Sequence, residues 1–215
     1  MAVGIKTELP WGRTFEEYIE MFNLNLTDLA QKIVGCGDGV SNFNQRMREM
    51  GNWVVSCDPL YAKTTEEIRS FIAEHHNPAM PPTYRVEDSM WLYHTRRPFL
   101  DEFFEDFSLG KQEGRYLPHG LPRLPFASHQ FDIALCSHFL FSDAGLGADF
   151  HYTSIREMLR VARQVRIFPI IDFNCQRSAF LGPILEKLLQ EGFQSEILRV
   201  NYGFYRNGHE LLVIQ

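Results

Sequence analysis

Hydrophobic and polar positions along the chain switch between two periods. Phe15, Ile19 and Phe22 recur at helical spacing, with Tyr18 and Met21 beside them, behind the start Thr14-Phe15-Glu16-Glu17. A hydroxyl followed three residues later by a glutamate is a capping box, and it predicts an N-terminal helix over Thr14–Leu29. Lys32-Ile33-Val34 then reads as a short strand running into Gly35-Cys36-Gly37-Asp38-Gly39. Ser41–Met50 reads as a helix stopped by Gly51, and Trp53–Cys57 as a second strand ending at Asp58-Pro59. Strand, glycine loop, helix and strand make one βαβ unit with a right-handed crossover.

The middle of the chain is less regular. Thr64-Thr65-Glu66-Glu67 starts a helix that ends near His75 or His76, and Pro78, Pro81 and Pro82 break the chain after it. Met90–Phe107 is rich in aromatic residues, with Phe99, Phe103 and Phe107 on one helical stripe of the kind that packs a core, and Arg115-Tyr116-Leu117 is a weak strand. The pattern then sharpens: a buried strand over Phe131–Cys136, an amphipathic helix over Ser154–Arg163, a strand over Val165–Ile171 and a helix over Pro183–Gln190 closed by Gly192. Two β-rich runs, Ser195–Phe204 and His209–Ile214, flank Tyr205-Arg206-Asn207-Gly208, whose Asn-Gly is a hairpin signal. Alternating β and α elements closed by an antiparallel hairpin predict an α/β three-layer sandwich.

Composition narrows the function classes. The 215 residues make one to one and a half domains, with 45% hydrophobic and 22% charged residues as in ordinary soluble proteins. A net charge of −6 argues against affinity built on neutralising nucleic-acid phosphates. The charge-free apolar stretch Ile133–Ser142 is far too short to span a membrane. Met1–Tyr18 holds no apolar h-region with a cleavage site, so the four cysteines, none in a CxxC pair, are expected to be reduced thiols of a cytoplasmic enzyme. No HExxH motif or His/Cys cluster has metal-ligand spacing, and the adjacent His75 and His76 point in different directions on a helix. No metal is expected.

A glycine-rich turn between strand and helix lets a ligand approach backbone N–H groups. Asp58 lies 21 residues beyond Gly37 at the tip of the next strand, where a carboxylate can accept hydrogen bonds from both ribose hydroxyls of a nucleoside. It can equally cap the turn after Pro59. The spacing G-x-G-x-G, with Val40 where a dinucleotide fingerprint has its third glycine or alanine, points away from NAD and FAD. No Gly-Lys-Ser/Thr follows, which excludes a P-loop.

The runs IVGCGDG, VVSCDPLY and LPFASHQFDIALCSHFLF, followed by the terminal hairpin, together resemble the class I S-adenosylmethionine-dependent methyltransferases. The resemblance covers most of residues 31–215. It implies a Rossmann-like seven-stranded sheet with its last strand inserted antiparallel, residues 1–30 as a helical cap, and an insertion at about 62–113. It further implies that Gly35, Cys36 and Gly37 wrap the methionine portion of S-adenosylmethionine, that Asp58 holds the ribose, and that Pro59, Leu60 and the backbone near Leu121 flank the adenine. Ser137 and His138 would line the methionine side and face the acceptor. Two positions depart from the family. Ile33 stands where an acidic residue usually helps to hold the methionine amino group, and Gly120 where one often meets the adenine amino group. Asp38 and the segment around Arg13 and Tyr18 are the candidates to compensate.

Methyl transfer needs an acceptor held in line and water kept out. His138 is the candidate base, because it follows a parallel strand at the ligand-binding edge and imidazole titrates near neutrality. Asp143 and His151, expected in the following loop, are candidates to orient an acceptor. Trp91, Tyr93 and the pair Arg96-Arg97 are candidates to contact it, with Tyr18 and Met21 closing the pocket from the other side. The expected partner is a small-molecule methyl acceptor, with neither nucleic acid nor membrane. The alternatives are a methyltransferase-like binding or scaffold protein without turnover, suggested by Ile33 and Gly120, and a protein or RNA methyltransferase, which the net charge does not favour.

Overall fold

Alternation of side chains along each strand sends one set of apolar residues to either face of a single sheet. The computed structural model describes residues 12–75, 89–203 and 207–215, with backbone alone for residues 75 and 89–96. Its strands are β1 (Ile33–Cys36), β2 (Val54–Cys57), β3 (Tyr116–Leu117), β4 (Phe131–Ser137), β5 (Ala162–Phe168), β6 (Ser195–Arg199) and β7 (Glu210–Ile214). They form a seven-stranded sheet in the order β3-β2-β1-β4-β5-β7-β6. β1 to β5 are parallel, and β7 enters antiparallel between β5 and β6.

Val34, Cys36, Val55, Cys57, Ala134, Cys136, Val165 and Ile167 face one helical layer, made of α6 (Gly147–Val161) and α7 (Leu181–Gln190). Their strand neighbours Ile33, Val54, Ile133 and Leu135 face the other, made of α1 (Phe15–Met21), α2 (Leu26–Leu29) and α3 (Phe43–Glu49). Both faces are buried, as parallel strands require, and the three-layer sandwich is confirmed. A third cluster joins α4 (Thr65–His75) and α5 (Ser89–Gln112), where Phe99, Phe103 and Phe107 pack with Tyr61 and Tyr116 as core residues.

The N-terminal pattern gives two helices rather than one. Asn25 and Asp28 form a second capping box, and Asn23 turns left-handed at φ 48°, so the chain stops at Met21 and restarts at Leu26. Arg166 on β5 then holds this corner, donating to the Phe22 carbonyl at 2.9 Å and pairing with Asp28 at 2.9 Å. Strand β1 runs on through Gly35 and Cys36 because these pair in register with Ser56 and Cys57. Helix α6 starts seven residues earlier than the expected Ser154, and β5 begins directly at its end.

One buried polar chain ties α3, α5 and the sheet edge together. Arg115 is wholly buried, with its guanidinium bonded to both oxygens of Asp106 at 2.7 Å and to Asn44 Oδ1 at 2.6 Å. Asn44 in turn donates to Ser56 Oγ at 3.0 Å. Asp106→Ala leaves that guanidinium without its main counter-charge, and the expected loss is about 3–5 kcal/mol of unfolding free energy in a urea titration. Replacing both partners, Arg115→Met with Asp106→Leu, is expected to cost less than the single change. A loss below about 1 kcal/mol would mean that the pair acts like an exposed one.

Candidate functional site

The C-terminal ends of β1, β2 and β4 converge on one edge, next to the point where the sheet order reverses between β1 and β4. Gly35 and Cys36 end β1 and Ser137 ends β4 there, and Gly37, Asp58 and His138 leave the sheet at the same edge. The loop after β1 is fastened to its neighbour by the N–H groups of Gly37 and Asp38, both donating to the Cys57 carbonyl. Asp38 folds its carboxylate back over Gly35, so close that a Cβ at Gly35 would overlap it. Glycine at position 35 therefore makes room for this side chain. The Tyr18 hydroxyl donates to Asp38 Oδ1 at 2.6 Å and Ser56 Oγ donates to Oδ2. Burial pushes the Asp38 carboxyl up from its ordinary range, and the two hydroxyl donors oppose that shift. Burial, with the charge of Asp38 beside it, holds the Tyr18 hydroxyl firmly protonated.

Of the two roles foreseen for Asp58, the turn cap is the one its hydrogen bonds form. It caps the short turn Pro59–Ala62 by accepting the Leu60 N–H at 2.8 Å, and it accepts the Gly39 N–H at 3.0 Å. Burial pushes its pKa up to about 6 against those two hydrogen bonds. A carboxylate offers about four acceptor positions, so two remain for further donors. Gly120 lies against Pro59, where a Cβ would come within 2.9 Å of Pro59 Cγ, so a larger residue at position 120 would have to displace the proline ring. Leu121 packs at the edge of the same core layer, and Leu60 lies against the α4–α5 cluster. Cys36 and Cys57 are buried neighbours whose thiols burial pushes up, Cys57 to about 12, so neither supplies a thiolate at neutral pH.

At β4 the backbone of His138 is left-handed, φ 52°, which for a residue with a side chain is a strained conformation of the kind found at functional sites. Its N–H donates to the Phe168 carbonyl at 2.6 Å, and its Nδ1 lies 2.8 Å from Ser137 Oγ. The imidazole meets Phe168 and Tyr202 edge-on at 5.5 and 6.4 Å. Ser137 Oγ also reaches Met21 Sδ at 3.9 Å, and Tyr202 donates to Glu17 Oε1 at 2.7 Å. Tyr18 and Met21 belong to α1 and are buried on its inner side, with Tyr18 stacked on Phe43 at 4.5 Å.

Other candidates fall elsewhere. Asp143 accepts the Gly145 N–H at 2.8 Å and caps the turn Ala144–Leu146. His151 is not in a loop: it lies in α6, buried against Phe141 and Phe180, with Nδ1 bonded to the Gly147 carbonyl and its pKa lowered by burial. The side chains of Trp91, Tyr93 and Arg96 lie outside the described residues. Ile33 is fully buried in the layer under α1. Ser56, Glu17 and Tyr202 were not singled out by the sequence. Only Ser56 left a signal, as the one hydroxyl in the apolar run Val54-Val55-Ser56-Cys57. Among the described residues, no group of three or more His, Cys, Asp or Glu side chains can hold a metal ion, and no helix is long and apolar enough to cross a membrane.

This edge fits an adenosyl ligand. Gly39 has open space where a Cβ would stand, and Asp58 has acceptor positions to spare beside it. Sheet order, crossover pattern and glycine loop define the class I S-adenosylmethionine-dependent methyltransferase fold. The methyltransferase domain of bacterial-CtHen1-CN shares it, with a TM-score of 0.50 at 11% identity over 88% of this chain and 92% of that one. Magnesium protoporphyrin IX methyltransferase (ChlM) of Synechocystis PCC 6803, with bound SAM, gives a TM-score of 0.48 at 12% identity over 87% and 71% of the two chains. No family model matches the chain. In sequence it is 30% identical over 225 residues to Uncharacterized protein MJ0045 of Methanocaldococcus jannaschii, covering 99% of this chain and 98% of that protein. The chain belongs to the same family as that protein.

In the free protein, the Asp58 carboxyl is expected to titrate near pH 6 when followed by carbon NMR, with Asp58→Asn removing the signal. A midpoint at the unperturbed value of about 3.9 would contradict the buried geometry.

Proposed function

We propose that the protein is an S-adenosylmethionine-dependent methyltransferase acting on a small molecule. The observation that carries this reading is Asp58: a desolvated carboxylate with spare acceptor positions, at the C-terminal end of β2 next to β1, beside a glycine with open space above it. When bound, S-adenosylmethionine supplies a methyl group activated on a sulfonium sulfur. The chain's own residues do the rest. Asp58 takes the ribose hydroxyls, Pro59, Leu60 and Leu121 flank the adenine, and the Gly35–Gly37 turn and Ser137 bound the methionine side. His138 accepts the acceptor's proton as the methyl group moves. Helix α1, Phe168 and Tyr202 keep water from the transfer. The aromatic surroundings of His138 and the net charge of −6 favour a small, uncharged acceptor over a nucleic acid. Ile33 and Gly120 favour the second reading, a binding protein of this fold without turnover.

Calorimetric titration with S-adenosylmethionine, S-adenosylhomocysteine and NAD tests the pocket. Saturable binding of the two adenosyl ligands but not NAD is expected. Asp58→Ala removes hydrogen bonds to a charged group, worth about 1.5–3 kcal/mol, and is expected to raise Kd by about ten- to a hundredfold. Ribose hydroxyls donate to the ionised carboxylate, so protonating Asp58 opposes binding. Kd is expected to be flat above pH 6 and to rise below it, approaching roughly tenfold per pH unit. Binding that is indifferent to pH and to Asp58 would remove this residue from the site.

Once an acceptor screen gives turnover, His138→Ala is expected to lower kcat by about a hundredfold or more, the usual contribution of a positioned base. Unchanged turnover would end the assignment.

A further inference from the structure

Residues 12–21 are fastened to the glycine loop and to the acceptor edge at once. Gly12 lies against the Val40 carbonyl, and the Arg13 N–H donates to that carbonyl at 3.2 Å in an isolated bridge with Ser41. The Phe15 N–H donates to Asn42 Oδ1 at 2.7 Å, and the Tyr18 hydroxyl to Asp38 at 2.6 Å. On the other side of the same short helix, Met21 Sδ lies 3.9 Å from Ser137 Oγ, and Glu17 accepts the Tyr202 hydroxyl at 2.7 Å. Tyr202 in turn faces His138. Seven residues of helix have little stability of their own, so the position of α1 is set by these contacts.

We infer that Tyr18 is a positioning residue that couples the two halves of the site: a ligand seated on the glycine loop fixes α1 through Asp38, and α1 then fixes Tyr202 and the Ser137–His138 edge against which an acceptor is held. The inference rests on the cofactor reading of the glycine loop. Asp38 is suited to the task because its two oxygens answer to different elements, Oδ1 to α1 through Tyr18 and Oδ2 to the sheet through Ser56. Ser56 is itself held by Asn44, so the sheet side of the carboxylate is fixed and the α1 side is the one that can release. Coupling of this kind is reciprocal: whatever docks α1 more firmly tightens the loop's ligand by the same factor.

The test is amide hydrogen exchange with and without S-adenosylhomocysteine, on the full chain and on two variants. Tyr18→Phe keeps the ring stacked on Phe43 and removes only the hydroxyl. Ser56→Ala removes the other hydrogen bond of Asp38 and leaves α1 untouched. In the wild type the ligand is expected to slow exchange at residues 35–40 and also at 16–22 and 200–203. In Tyr18→Phe the slowing at 35–40 persists, that at 16–22 and 200–203 disappears, and Kd rises roughly tenfold. In Ser56→Ala the distant slowing is kept. Equal slowing at 16–22 in Tyr18→Phe and wild type overturns the coupling, as does a wild type that binds the ligand with no change at 16–22. A wild type that binds no S-adenosylhomocysteine overturns the cofactor reading instead. The ligand-free arm then decides the contact: Tyr18→Phe is expected to speed exchange at Asp38, Gly39 and Val40, and unchanged exchange there overturns it.

Discussion

Asp38 takes a carboxylate into the interior at the end of a parallel strand, and a charged group withdrawn from water needs donors in fixed places. Tyr18 and Ser56 supply them, and Gly35 supplies the space. Much of the molecule's arrangement follows. Tyr18 brings α1 over the sheet, and Arg166 holds the corner behind it. Ser56 connects the loop to Asn44 and through it to Arg115 and Asp106, so the aromatic helix α5 belongs to the same polar framework as the glycine loop.

Each of the two departures from the methyltransferase pattern has its own packing surroundings. Position 33 faces the apolar layer under α1, where Ile33 packs with Tyr18, Phe43 and Met47. The carboxylate of this loop stands five residues later, at position 38, and points inward. Position 120 lies against Pro59, whose ring a side chain there would have to displace. Negative charge at this edge is therefore concentrated in Asp38 and Asp58. Their proximity adds to the burial that raises Asp58 to about 6.

The fold was legible where local pattern and long-range pairing agree. Alternation in the strands, the antiparallel pairing of the two C-terminal β-rich runs and the glycine loop followed by Asp58 are found in the structure, although the first of those runs pairs only from Ser195 to Arg199 and not to Phe204. The break at Asn23 is hidden in the sequence because the apolar stripe runs on past Phe22, while the second capping box, Asn25 with Asp28, outweighs it. The glycine neighbours of Cys36 suggest a turn, whereas pairing with Cys57 keeps it in the strand. Asp38 and Tyr18 could be proposed from the sequence as compensating residues, but not as partners, since twenty positions separate them. Tyr202 and Glu17 stand much further apart, and no local pattern joins them.

A crystal structure of the full chain with S-adenosylhomocysteine tests the central claim most directly. The account predicts both ribose hydroxyls on the Asp58 carboxylate, the adenine between Leu60 and Leu121, and α1 docked with Tyr18 still on Asp38. An adenosyl group lying away from Asp58, or a ligand that enters by displacing α1 and separating Tyr18 from Asp38, would contradict it.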